Sequence, residues 1–238
     1  GTENLLAAVH WAAHGPAPTG EQGDASVIIM HANSDDGVCS VLPGCASRKF
    51  HSSRRDAFQG INADPIGKII VSRGGNCTIE TAISTPTRPV ASAPLKFSDD
   101  VRILQLMAGA HMFADQIEFA NSAGYDAILL HGTGLGHLPI ENPNGDSPEN
   151  DSMRSAIKDF CGNGGIAVMV TQCIHGPIHM DVYSKGRDQQ ALGILGNQAT
   201  TSPDAALIKL HFLLSNNVDI ETGWASNLCG ENVPSIIN

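Results

Sequence analysis

The stretch RKFHSSRRDAF (residues 48–58) packs Arg48, Lys49, Arg54 and Arg55 into eight positions of a chain that carries 24 acidic and only 14 basic residues. A lysine among arginines feels charge of its own sign. That disfavours its protonated form and prepares it to accept a proton in acid–base chemistry. The same spacing also fits a local grip on phosphate, or a solvated turn in which Asp56 pairs one arginine. Spacing alone leaves these readings open.

Two other segments could do chemistry. TQCIHGPIHMDVYSKGR (171–187) offers Cys173 as a nucleophile, with His175 or His179 as its base. The plainer reading is an inert cysteine packed at a strand end. His175 and His179, with His131 and His137 as company, also raise the question of zinc. Histidines four apart share a helix face, but Gly176 and Pro177 between them break that helix, which favours polar loop histidines and no metal. HGTGLGHLP (131–139) supplies three glycines, where backbone amides can approach a ligand, and the Thr133 hydroxyl. It has neither a GK[ST] ending nor GxGxxG spacing, so it is not a phosphate loop, and a tight turn is its plain alternative.

The elements that must position these residues fall into two groups. NLLAAVHWAA spaces Leu5, Leu6, Val9 and Ala13 on one helical stripe, which HGPAPTG ends. SVIIMH (26–31) reads as a buried strand, and NSDDG as a turn into a hairpin partner, VCSVL (38–42). KIIVS (68–72) is a further strand. From Gly74 to Ser98, three prolines, many Ser/Thr residues and no helical period predict an interdomain linker. Beyond it strands and helices alternate: VRILQLM (101–107), helix 112–124, AILLH (127–131), helix 152–165, IAVMVTQ (166–172), and a helix over SPDAALIKLHFLL (202–214) with Ser202 as its N-cap. That alternation predicts a parallel sheet covered on both faces, with ligands gathering beyond the carboxyl ends of its strands.

Composition removes several function classes. A formal charge of −10 argues against a broad phosphate-binding face, and two Trp with two Tyr make base-stacking platforms improbable. No apolar run approaches the ~20 residues of a membrane span. Six scattered cysteines without a CxxC pair fit a reduced, cytoplasmic chain.

Four segments taken together resemble the L-asparaginase family: MHANSDDGVCSVLPGCASRKFHSSRRDAFQGIN (30–62), GYDAILLHGTGLGHLP (124–139), TQCIHGPIHMDVYSKGR (171–187) and SPDAALIKLHFLL (202–214). Within it, SRRDAFQGIN and the tail NLCGEN (227–232) are most similar to the D subunits of archaeal glutamyl-tRNA(Gln) amidotransferases. The resemblance implies a larger N-terminal α/β domain, a smaller C-terminal α/β domain and active sites formed between subunits of a homodimer. On that pattern, residues 1–73 are the remainder of the N-terminal domain, 74–98 the linker and 99–238 the C-terminal domain.

The implied chemistry is hydrolysis of the side-chain amide of glutamine or asparagine by a threonine nucleophile, assisted by a Thr–Lys–Asp set. Ammonia then passes to a tRNA-binding E subunit, which uses ATP and magnesium to convert Glu-tRNA(Gln) to Gln-tRNA(Gln). The chain itself is expected to need no cofactor, and to meet tRNA only through that partner. Lys49 falls on the family's catalytic lysine. Residues 132–137 fall on the loop that reaches a neighbouring subunit's substrate, which makes Thr133 and Gly134 substrate-side candidates. Leu135 stands where bacterial relatives have asparagine. The family's nucleophile segment, TGGT-like, and its GTDT segment are not found in these residues. ENLLAAVHWAA matches a helix that follows a later substrate-binding motif, so Gly1-Thr2-Glu3 is not the GTDT site. The chain is thus expected to be a C-terminal portion of such a subunit, inactive by itself. The alternatives are a free-standing L-asparaginase and a non-catalytic assembly or binding module.

Overall fold

The computed structural model describes residues 1–15, 26–81 and 96–232. The chain divides into two compact units, Gly1–Pro94 with Asn227–Glu231, and Leu95–Ser226 with Asn232–Asn238.

The first unit begins with helix α1 (Thr2–His14), followed by strands β1 (Val27–His31), β2 (Val38–Pro43), β3 (Ser47–Lys49), β4 (Phe58–Gly60), β5 (Gly67–Val71) and β6 (Cys77–Thr81). Four of them form an antiparallel sheet in the order β1-β2-β5-β6, and β3 with β4 forms a separate two-stranded ribbon. The hairpin read between residues 26–31 and 38–42 pairs Met30 with Ser40 and His31 with Cys39. Alternation along the strands sets the buried face: Cys39 and Val41 of β2, and Ile69 and Val71 of β5, are buried with Ala7, while Lys68 points out to solvent.

Two readings of this region change. The helical stripe of Leu5, Leu6 and Val9 does not face the sheet; those side chains are 66%, 41% and 60% exposed. The packed face carries Ala7 and Trp11 instead, together with Asn4, whose side-chain amide donates to Met30 Sδ of β1, and Glu3, which accepts from the Gly37 N–H in the β1–β2 hairpin. A small alanine at the contact lets the helix lie close to the strands, so hydrophobicity alone picks the wrong face. The predicted linker over 74–98 also begins too early, because Cys77–Thr81 pairs with β5 along its full length. The prolines that suggested a linker (Pro86, Pro89 and Pro94) all follow Thr81, so β6 itself contains none. Residues 82–95 of that segment lie outside the described residues.

The second unit is a parallel sheet in the order β10-β9-β8-β7. Its elements are β7 (Ile103–Met107), α2 (Ala114–Ser122), β8 (Ala127–Gly132), α3 (Pro148–Gly162), β9 (Ile166–Thr171), α4 (Ser184–Ala191), β10 (Ile194–Leu195), α5 (Pro203–Ser215) and α6 (Ile220–Ala225). Period-2 alternation splits its strands between two cores, as a sheet covered on both faces requires. Ile128, Leu130 and Met169 pack with Ile117, Met153, Ile157 and Phe160 from α2 and α3. Ala127, Leu129, Val168 and Val170 pack with Ala206, Leu210, Leu213 and Trp224 from α5 and α6. Ser202 caps α5 by accepting a hydrogen bond from the Ala205 N–H at 3.3 Å.

Three elements of this unit were not anticipated, α4, β10 and α6, as β3 and β4 were not in the first. Helix α4 reads SKGRDQQA, with no apolar stripe, and β10 has two residues. Helix α6 is six residues long and is tied to α5 by the buried Lys209, whose Nζ donates to the Trp224 and Ser226 carbonyls at 2.8 and 2.5 Å. These carbonyls belong to the last turn of α6 and to its C-cap residue, where a cation complements the helix end.

Candidate active-site segments

Lys49 ends β3, opposite Phe58 of β4, with its Nζ 6.0 Å from the Phe58 ring centroid. The lysine is exposed, and the short ribbon holds its backbone. The connection 50–57 closes with the Phe50 N–H donating to the Ala57 carbonyl at 2.6 Å. Inside it the His51 imidazole accepts from the Ser53 and Arg54 backbone N–H groups, both at 3.1 Å, so a ring nitrogen organises the turn.

The arginines are engaged elsewhere. Arg54 forms a two-point pair with Asp56, and its guanidinium holds the Asp56 carboxyl below the usual carboxylate value. Arg55 pairs with Asp36, lowering that carboxyl in the same way. Arg48 and Lys49 are consecutive in a strand, so their side chains leave opposite faces of the ribbon. The crowding seen in the sequence therefore does not deliver three uncompensated positive charges to Lys49. The solvated turn with Asp56 pairing an arginine is present, and it frames the lysine.

Arg55 also reaches His31, a buried histidine at the end of β1, with 2.6 Å between Nη2 and Nε2. Because the guanidinium can only donate, Nε2 is the acceptor in this contact. Glu3 Oε2 lies 3.2 Å from the same nitrogen and accepts from the Gly37 N–H at 3.1 Å. Glu3, His31 and Asp36 place donor atoms within 4.8 Å of one another, close enough to consider a metal. The Arg55 guanidinium already bonds to two of the three, so a cation occupies that role. Sequence reasoning missed this network. Its one signal was a histidine closing an otherwise apolar strand.

One glycine controls the ribbon. A Cβ at Gly60 would overlap the Ala63 carbonyl oxygen, a backbone atom that cannot step aside. Gly60→Ala is expected to cost about 1–3 kcal/mol, the range for overpacking a tight site. The measurement is the urea midpoint of the variant against the parent. An unchanged midpoint would show that the turn after β4 yields freely.

In the second unit, the two glycine- and histidine-bearing loops leave β8 and β9 at their carboxyl ends and are bonded to each other. Thr171 Oγ1 donates to the Gly134 carbonyl at 2.6 Å, and the His179 N–H donates to the Leu135 carbonyl at 3.0 Å. Residues 133–137 are a tight turn, with the Thr133 N–H donating to the His137 carbonyl at 3.1 Å. Gly136 has φ of 100°, and a Cβ there would meet Ile178 and Met169 at 2.9 and 3.0 Å. Beneath the turn lies Gln189 of α4, fully buried. Its Nε2 donates to the Gly136 carbonyl at 2.6 Å, and its Oε1 accepts from the Leu138 N–H at 2.7 Å. Thr133 and Gly134 are thereby presented at an exposed tip, with Leu135 half-buried behind them. Nothing in the polar sequence of α4 marked Gln189 as the support of this loop.

The remaining candidates are not drawn together in the same way. Cys173 is exposed just past the end of β9, and its backbone N–H donates to Thr171 Oγ1 at 3.0 Å. HGPIH is not helical, as Gly176 and Pro177 foretold. His131 meets Gln105 at 3.2 Å, and His137 lies against the Tyr183 ring. Burial, with Lys185 adding to it, pushes the His137 imidazole below its ordinary value, so its neutral form is favoured.

Asp181, just past these histidines, accepts from Gln190 Nε2 at 3.0 Å and Asn197 Nδ2 at 2.7 Å. Those bonds hold its carboxyl below the usual value. A depressed folded-state value adds stability above the unfolded value, lost as pH falls through the folded one. The thermal midpoint should therefore fall between pH 6 and roughly pH 3. Asp181→Asn should flatten that fall, and identical profiles would contradict it.

Two family models cover these segments: Asparaginase, N-terminal, over residues 1–83, and Glutaminase/Asparaginase C-terminal domain over residues 100–223. The chain belongs to the glutaminase/asparaginase family. Among curated relatives, the D subunit of glutamyl-tRNA(Gln) amidotransferase from Methanopyrus kandleri is 34% identical over 234 residues, covering 96% of this chain and 47% of that protein. The D subunit from Archaeoglobus fulgidus is 32% identical over 192 residues, covering 80% and 42%. The chain thus spans about half the length of the curated relatives it matches.

Solved structures agree on the fold. The thermostable L-asparaginase of Thermococcus kodakarensis superposes with a TM-score of 0.73 at 21% identity, covering 98% of this chain and 62% of that one. L-asparaginase I of Vibrio cholerae gives 0.68 at 24% identity, covering 98% and 63%. The asparaginase-like α/β fold expected from the four segments is the fold observed, with the family's C-terminal domain supplying the parallel sheet. No helix among the described residues is long and apolar enough to cross a membrane.

Proposed function

We propose that this glutaminase/asparaginase-family chain is part of an ammonia-generating amidohydrolase subunit serving a tRNA-dependent amidotransferase that converts Glu-tRNA(Gln) to Gln-tRNA(Gln). The observation that carries the reading is the 34% identity to an amidotransferase D subunit over 96% of the chain, a span that includes SRRDAFQGIN beside Lys49. In this reading Lys49 handles the proton of the amide-cleaving step. An exposed amine at the end of a pinned strand suits that role, being free to move between reacting groups. Thr133 and Gly134, at the tip held up by Gln189, face a glutamine or asparagine in a neighbouring subunit of a homodimer. The nucleophile and the Thr–Asp pair come from TGGT- and GTDT-like segments, which these 238 residues do not contain. The partner is a tRNA-binding subunit that supplies ATP and magnesium chemistry, and the assembly works in the cytoplasm.

Co-expression with a tRNA-binding amidotransferase subunit tests this. The expected result is co-purification and glutamine-dependent formation of Gln-tRNA(Gln) when the TGGT- and GTDT-bearing segments are present. The 238 residues alone should release no ammonia from glutamine or asparagine above a Lys49→Ala control. Asparagine hydrolysis with no stable partner would instead favour a free-standing asparaginase, the reading that the asparaginase fold also supports.

A further inference from the structure

The tail NLCGE returns to the first unit, where Cys229 meets Cys45. Their sulfur atoms are 3.0 Å apart, about 1 Å longer than a disulfide bond of ~2.04 Å. Cys45 sits in the short 3₁₀ turn Gly44–Ala46 that leads from β2 into β3, four residues before Lys49. Cys229 sits in a turn that is itself tied down. Asn227 Oδ1 accepts from the Gly230 N–H at 2.8 Å, and the buried Glu231 carboxylate accepts from the N–H groups of Leu228 and Cys229 at 3.0 and 2.7 Å. Both thiols are half-buried, so small reagents can reach them.

We propose that Cys45 and Cys229 are a redox pair that closes into a reversible disulfide, pinning residues 227–231 to the turn that carries the Lys49 strand. Small-molecule disulfides are the oxidant. A thiolate at Cys45 attacks one sulfur of the reagent and expels the first small thiolate, leaving a mixed disulfide. The Cys229 thiolate then attacks the Cys45 sulfur, expels the second small thiolate and completes the bond. Two protein thiols are oxidised, two reagent thiols are formed, and the two protons go to the leaving thiolates or to water. The order follows from the surroundings: the Cys229 thiol donates toward Cys45, and this bond, with burial and the Glu231 charge, pushes its ionisation up. Other cysteines are placed differently. Cys39 is buried, with its thiol pointed at Asn4, and burial raises Cys161. The bond would close a ring spanning 184 residues of chain, so one covalent link would hold a distant tail segment in place.

The test is independent of any catalytic role. The chain, in a Cys173→Ser background that removes the exposed thiol, is equilibrated with oxidised glutathione, alkylated and peptide-mapped without reduction. The expected result is one cross-linked peptide pair joining Cys45 to Cys229, two free glutathiones released per chain, and reversal by dithiothreitol. Cys45→Ser and Cys229→Ser should each abolish the cross-link, and hydrogen exchange at residues 227–231 should slow on oxidation of the parent. A cross-link between other cysteines would overturn the proposal. So would stable glutathione adducts in place of the cross-link, thiols that stay reactive, or unchanged exchange at 227–231.

Discussion

Replacing Lys49 with Ala, in a protein that carries this chain together with TGGT- and GTDT-like segments, is expected to lower glutamine or asparagine hydrolysis by ~10²–10⁴-fold, the usual worth of a positioned acid–base group. The fold should survive. Lys49 is exposed at the end of β3, and its backbone is held by pairing with β4 and by the Phe50–Ala57 closure of the loop, none of which needs the amine. Lys49→Arg should fail almost as badly, because a guanidinium does not give up its proton in this range. Arg54→Ala should cost far less, since that guanidinium is spent on Asp56. Steady-state ammonia release, with the thermal midpoint measured on the same samples, checks the set. Near-normal turnover of Lys49→Ala would remove the lysine from the mechanism.

The second large effect is structural. Gln189→Leu should destabilise the parallel-sheet unit by about 2–6 kcal/mol, because the variant leaves the Gly136 carbonyl and the Leu138 N–H buried without partners at ~1–3 kcal/mol each. Against a typical total of ~5–15 kcal/mol, that is a large fraction. Gln189→Glu separates the two bonds: a carboxylate still accepts from Leu138 but cannot donate to Gly136. It should unfold at lower urea than the parent at neutral pH, because it also buries a charge against the Gly136 carbonyl. Hydrogen exchange at residues 132–138 should rise in both variants. A leucine variant as stable as the parent would mean that water or a rearranged loop replaces both bonds.

Much of the second unit was legible in its sequence because the apolar runs there are short, continuous and separated by helix-length segments. Strands buried on both faces read as unbroken hydrophobic runs, and Ser202, Pro203 and Asp204 announce the start of α5. The first unit was harder. Its helix buries its alanine face, so the larger leucines pointed to the wrong side, and β6 hid among the threonines and serines that precede three prolines. Helices α4 and α6 carry no periodic signal; packing against the sheet, rather than propensity, makes them helical.

The same division runs through the candidate site. Local chemistry was visible from the chain alone: a lysine in a basic turn, glycines in a loop beyond a strand, a proline and glycine that forbid a metal-binding helix at HGPIH, and the four collinear segments that place the chain in its family. Long-range partners were not. Arg55 bonds across 19 residues to Asp36 and across 24 to His31, and Gln189 supports a loop 53 residues away. Cys229 reaches Cys45 across 184. Sequence determines which residues can donate, accept, ionise or turn. Only the tertiary structure decides which of them meet, because those contacts are set by how strands register and helices seat, and neither leaves a mark at the residue itself.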